Sequence, residues 1–217
     1  MIKRVLALTV PLFMITGCTN SVQVGPTDRA SMLTSASSWT LYQGSPSPAP
    51  SSSSAWAPDL VASGTFLPFK PGSTAITYEP KAVPPGATAT VAVAHAAKGT
   101  EVRLAVEGLI PRRTYGAHLH TEPCTALPDQ AGPHYQHQKD PKTPSVDPSY
   151  ANPRNEVWLD FTVDGYGTAT AAATQSWIFP AGQAARSLIL HAEQTKIAAG
   201  VAGTAGPRVA CLTLPQR

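Results

Sequence analysis

The chain carries six histidines, and five of them, His118, His120, His134, His137 and His191, fall in its last hundred residues. His118 and His120 occupy alternate positions of a segment with strand character, so both imidazoles leave one face of the chain with Cα atoms about 6.5–7 Å apart. One metal ion can bridge that gap. A pair of this kind is either two ligands or two hydrogen-bonded polar residues. A histidine-bearing loop and a histidine at a strand end downstream favour ligation, because imidazole suits copper, zinc and iron. The three cysteines, Cys18, Cys124 and Cys211, offer no thiolate cluster.

The elements that must hold these imidazoles have β character. Val102, Leu104 and Val106 alternate with Glu101, Arg103 and Glu107; Val157, Leu159, Phe161 and Val163 alternate with Trp158, Asp160 and Thr162. Period-2 patterns of this kind predict strands with one buried face. Further strand-like segments are Thr88 to His95, Tyr115 to His120, Thr168 to Thr174, Ser187 to His191 and Val209 to Leu214, with Asp164-Gly165 as a turn. Charged residues make up only 13% of the 217, against about 25% in ordinary domains. The 22 prolines and 16 glycines come to roughly 18%, against an average near 12%. This turn-rich chain with no convincing amphipathic helix predicts an all-β sandwich or barrel of about 140 residues, from 75 to 217. Pro123 to Pro153 holds seven prolines and no strand pattern, and a loop that long is usually functional or disordered. Glu156 and Asp160 are either hydrogen-bond partners for a ligand imidazole or, as their alternation with apolar positions favours, solvent-facing strand residues; His95 reads as structural.

Lys3 and Arg4 precede an apolar run from Val5 to Ile15, then Thr16, Gly17 and Cys18, which has the layout of a secretory leader and is too short to span a bilayer. Ile15-Thr16-Gly17-Cys18 also resembles the bacterial lipobox, cut before a cysteine whose thiol carries lipid. On that reading residues 1–17 are a signal peptide. Residues 18–74, dominated by Ser, Pro, Ala and Thr, form a flexible tether from the lipid on Cys18, on which Trp39, Trp56, Phe66 and Phe69 could dock loosely against the domain. Export to the cell envelope, at the outer face of the cytoplasmic membrane or the periplasmic side, permits disulfides. Cys124 and Cys211 then pair with each other or lie buried as free thiols. Without Lys3 and Arg4 the chain has 14 basic and 13 acidic residues, which excludes the basic footprint of a nucleic-acid-binding protein.

Four motifs in order resemble the copper/zinc superoxide dismutase family: Gly116-Ala117-His118-Leu119-His120, Ala131-Gly132-Pro133-His134, Leu190-His191, and Gly206-Pro207-Arg208-Val209-Ala210-Cys211. The resemblance implies an eight-stranded Greek-key barrel or flattened sandwich. It implies copper at His118, His120 and His191, with His134 as the histidine that bridges copper to zinc and carries a proton for the product. It implies a Cys124–Cys211 disulfide, and Arg208 as the cation that attracts and orients superoxide. The reaction so implied turns superoxide into O2 and H2O2.

Departures from the family pattern concern zinc. His137 lies too close to His134 to match the next zinc histidine; it either replaces a missing ligand or, the favoured reading, is a solvated loop residue. Asn152 and Asn155 fall near the family's remaining zinc histidine and aspartate, and neither amide is a good zinc ligand. The acid that the family places four residues after the third strand-borne ligand is Thr195 here. The chain therefore resembles a copper-only or degenerate branch. Three functions compete: a lipid-anchored copper superoxide dismutase, a non-catalytic protein of the envelope that holds copper on the same fold, and, least favoured, a degenerate β-sandwich used only as an envelope interaction module. A tethered monomer is the default assembly.

Overall fold

The computed structural model describes residues 56–216; the leader, Cys18 and Trp39 lie outside them. The described strands, in chain order, are β1 (Leu60–Thr65), β2 (Ala75–Thr77), β3 (Thr88–Ala96), β4 (Gly99–Glu107), β5 (Thr114–His120), β6 (Phe161–Thr162), β7 (Ala169–Gln175), β8 (Ser187–His191) and β9 (Arg208–Thr213). They form two antiparallel sheets, ordered β1-β3-β4-β7 and β2-β9-β8-β5-β6. Among the described strands, β3-β4, β5-β6 and β8-β9 join chain neighbours side by side; the other pairings are crossovers, as a Greek-key sandwich requires. Val102, Leu104 and Val106 of β4 point inward and meet Tyr115, Ala117 and Leu119 of β5 in one core. Glu101, Arg103 and Glu107 stay on the outer face of β4, as the alternation predicts.

The domain begins earlier than Ala75. Leu60–Thr65 pairs with β3 along its whole length, and Phe66 is fully buried. Phe69 is exposed, and Trp56 lies 4.0 Å from the Arg103 guanidinium. The alternation of β1 is hard to read because its inward residues after Leu60 are Ala62 and Gly64. Packing demands that smallness: a Cβ on Gly64 would come within 2.6 Å of the Ala75 Cβ.

The stretch before β6 departs from expectation more instructively. Val157, Leu159, Phe161 and Val163 are buried in the core as their pattern predicts, yet only Phe161–Thr162 forms a regular strand. Residues 156–160 instead run beside β5, with a bridge between His118 and Trp158 and a bond from the Leu159 amide to the Ala117 carbonyl at 2.8 Å. Their alternate face does not meet solvent. Glu156 is 1% exposed, because the Pro-rich loop and the segment between β8 and β9 close over that side of β5.

Cys124 and Cys211 form a disulfide across 87 residues. On the chain-entropy account it stabilises the fold by about 4–5 kcal/mol. It ties the start of the Pro-rich loop to β9, and so fixes that loop relative to Arg208.

Candidate metal centre

β5 is buried on both faces, and its even-numbered residues Gly116, His118 and His120 point away from the core toward the covering loops. Glycine is needed at 116, since a Cβ there would lie 2.6 Å from both the Ala205 Cβ and the Glu193 carbonyl oxygen. β8 pairs with β5 so that His191 stands opposite Gly116. The Pro-rich loop returns along β5 through a bond from the Tyr135 amide to the Leu119 carbonyl at 2.8 Å, which sets His134 beside His120. One ring nitrogen each from His118, His120, His134 and His191 thereby falls within 4.8 Å of the others.

Hydrogen bonds on the far side of each ring decide which nitrogen faces the centre. His120 donates from Nδ1 to the Gly132 carbonyl at 3.0 Å, and His191 from Nδ1 to the Gly206 carbonyl at 3.2 Å. His134 donates from Nδ1 to Glu156 Oε2 at 2.8 Å. His118 is reversed: its Nε2 lies 2.7 Å from Thr195 Oγ1, while its buried Nδ1 has no hydrogen-bond partner. With Nδ1 protonated on both, the Nε2 atoms of His120 and His191 present two lone pairs to each other at 3.4 Å. Facing lone pairs and an orphaned buried nitrogen are unfavourable unless a cation lies between them, so the donor set fits a metal ion.

Burial and the nearby positive charge keep the imidazoles of His118, His120 and His191 unprotonated, with their lone pairs free. Burial holds the His118 and His120 imidazoles well below the ordinary histidine pKa, reinforced by the neighbouring imidazoles and Arg208. Burial likewise takes His191 down to about 3. All three are neutral imidazoles at physiological pH. The unfolded chain takes up these protons near pH 6.5 while the folded chain does not, so lowering the pH favours unfolding. Stability of the metal-free protein is therefore expected to be full above about pH 6.5 and to fall, for His191 alone, by about 1.4 kcal/mol per pH unit as the pH drops toward 3. Urea denaturation of metal-free protein across this range tests it; a flat profile from pH 7 to 5 would contradict it.

Glu156, Trp158 and Asp160 project toward the site from the segment beside β5, and this is the main correction to the sequence reading. Glu156 accepts from His134, from Trp158 Nε1 at 2.7 Å and from Gln136 Nε2 at 2.8 Å. Asp160 accepts from the Ala117 amide, the Thr195 amide and the Thr195 hydroxyl. Alternation alone assigned these residues to the face away from the core, which is correct. It carried no sign that loops cover that face.

Asn152 and Asn155 are engaged elsewhere: their amides bond to loop backbone at Pro148, Ser149, Gln138, Tyr150, Arg154 and Asn155. They staple the loop to itself. His137 is exposed and stacks on Trp177, ring centroids 5.0 Å apart, outside the cluster. His95 bonds to Asp59 at 2.9 Å and lies edge-on to Phe179.

Arg208 starts β9 and is held by the carbonyls of Pro128 at 2.8 Å and Gly132 at 2.7 Å. Gly132 is thus shared by Arg208 and His120. Its φ of 76° and the Thr121 hydroxyl, 2.4 Å from where a Cβ would stand, leave no room for another residue.

A family model described as copper/zinc superoxide dismutase matches residues 87–213. The chain belongs to the copper/zinc superoxide dismutase family. Among solved structures it is similar to a Cu/Zn superoxide dismutase from Brucella abortus, at 20% identity and TM-score 0.48, covering 71% of this chain and 97% of that one. It is also similar to a double mutant of a SOD-like protein from Bacillus subtilis, at 16% identity and TM-score 0.46, covering 58% and 87%. A search of curated proteins finds no match.

Proposed function

We propose that this protein is a copper-dependent superoxide dismutase of the cell envelope, with one metal per chain. The observation that carries the proposal is the convergence of four imidazole nitrogens beside a half-buried arginine, with the second nitrogen of every ring already bonded outward. His118 through Nδ1 and His120, His134 and His191 through Nε2 are the proposed ligands. Copper, when bound, supplies one-electron oxidation and reduction, which disproportionation of a radical anion requires.

The chain's own residues divide the remaining work. Arg208 offers a guanidinium whose charge attracts superoxide and whose position is set by two carbonyls. His134 is the partly exposed member, its side chain 16% accessible, and its Nδ1–H is held by a carboxylate. It is therefore the imidazole placed to pass a proton between solvent and the substrate, with its ring orientation fixed by the bond to Glu156. That same bond occupies the nitrogen through which His134 would bridge to zinc, which supports a mononuclear copper site. The leader and Cys18 support export and lipid anchoring; superoxide is the small-molecule substrate.

Metal analysis and stopped-flow superoxide decay on the mature chain test this reading. The expected result is one copper per chain, little zinc and catalytic decay. Copper without decay would leave a copper-holding protein, a reading that Thr195 favours by standing where the family places an acid. In cells, Cys18→Ser is expected to move the protein out of the membrane fraction; retention there would refute the anchor.

A further inference from the structure

We infer that Thr195, oriented by Asp160, is a positioning residue that selects the ring tautomer of His118 and so turns its Nδ1 lone pair toward the metal centre. This rests on the reading of the four histidines as a metal site. The other three imidazoles donate directly to a carbonyl or carboxylate, groups that only accept, so their tautomers follow at once. His118 alone faces a hydroxyl, which donates or accepts.

The direction is decided one step further out. Thr195 Oγ1 lies 2.7 Å from Asp160 Oδ1, and the carboxylate accepts only, so the single hydroxyl proton goes to Asp160. The hydroxyl then has only lone pairs left for His118, 2.7 Å away on its other side. His118 must donate from Nε2. Its proton is thereby fixed on the outer nitrogen, and the orphaned Nδ1 is a lone pair. Asp160 cannot do this alone, because its Oδ1 is 3.7 Å from His118 Nε2, beyond hydrogen-bonding reach. Asp160 is itself held by the Ala117 amide at 3.1 Å, next to His118 in the chain, so the relay is built onto the strand it serves.

The loop and the relay can be separated experimentally. The Thr195 backbone amide bonds to Asp160 Oδ2 at 2.8 Å, a contact that Thr195→Val leaves in place while removing only the hydroxyl. Valine has the same shape as threonine, so the variant retains the loop anchor. Without the hydroxyl, His118 Nε2–H has no partner in a fully buried site, and the Nδ1–H tautomer, which blocks ligation, becomes populated.

The decisive measurement is 15N NMR of the histidine rings in the full metal-free mature chain, paired with copper(II) affinity from chelator competition. Wild type and Thr195→Ser are expected to show His118 as the Nε2–H tautomer. Thr195→Val is expected to show Nδ1–H or a mixture, with copper affinity about 10- to 100-fold weaker. Tautomer and affinity unchanged in Thr195→Val would overturn the inference, as would Thr195→Ser behaving like Thr195→Val. A wild type that binds no copper would instead sink the metal-site reading, while the tautomer, measured without metal, still judges the relay.

Discussion

Glu156→Ala is expected to lower the stability of the metal-free protein by about 3 kcal/mol or more and to weaken copper binding about 10- to 100-fold. Glu156 is 1% exposed and accepts three N–H groups, from His134, Trp158 and Gln136. Truncation leaves those donors facing a cavity, and each buried donor without an acceptor costs about 1–3 kcal/mol. The larger functional consequence falls on His134. With no carboxylate at Nδ1, nothing holds its proton on the outer nitrogen and keeps Nε2 as the lone pair facing the centre. Glu156→Gln keeps the shape but points an NH2 at one of the three donors, so an intermediate loss is expected. Thermal melts of the metal-free variants and copper competition titrations check both effects. A change below about 1 kcal/mol with unaltered affinity would show that Glu156 only fills space.

Arg208→Ala is expected to cut the second-order rate with superoxide by a factor of about 10 to 1,000 without changing copper content. The guanidinium contacts none of the four proposed ligands directly; it shares the Gly132 carbonyl with His120. Copper should therefore stay, since His120 still has its acceptor. What disappears is the fixed positive charge beside the centre. The wild-type rate is expected to fall with rising ionic strength, because screening weakens attraction of an anion, and the variant rate to be nearly salt-independent. Arg208→Lys restores charge but not the fork that grips two carbonyls, and should recover part of the rate. Equal rates in wild type and Arg208→Ala at low salt would remove Arg208 from the mechanism.

The four clustered histidines, the disulfide and the place of Arg208 were legible because each is written in short spacings: two histidines at a period-2 interval, a glycine before a proline and histidine, an arginine three residues before a cysteine. Such spacings survive because a strand or tight loop converts them directly into geometry. The inner face of residues 157–163 was legible for the same reason, as strand alternation is a local property of the backbone. β1 was not legible, because Ala62 and Gly64 had to be small to fit against Ala75, and small residues erase the hydrophobic contrast that marks a strand.

Covering the outer face of β5 was a decision of the tertiary structure. Glu156 and Asp160 look the same in the chain whether that face meets water or two folded-over loops, since alternation specifies a side and not what lies on it. Thr195 likewise resembled a missing acid. It acquires its partner only when the segment after β8 folds back on β5 and brings it between His118 and Asp160, residues 77 and 35 positions away. Contacts over such separations depend on how loops close, which no local pattern encodes, and they determine which nitrogen of each histidine is left without an outward hydrogen bond.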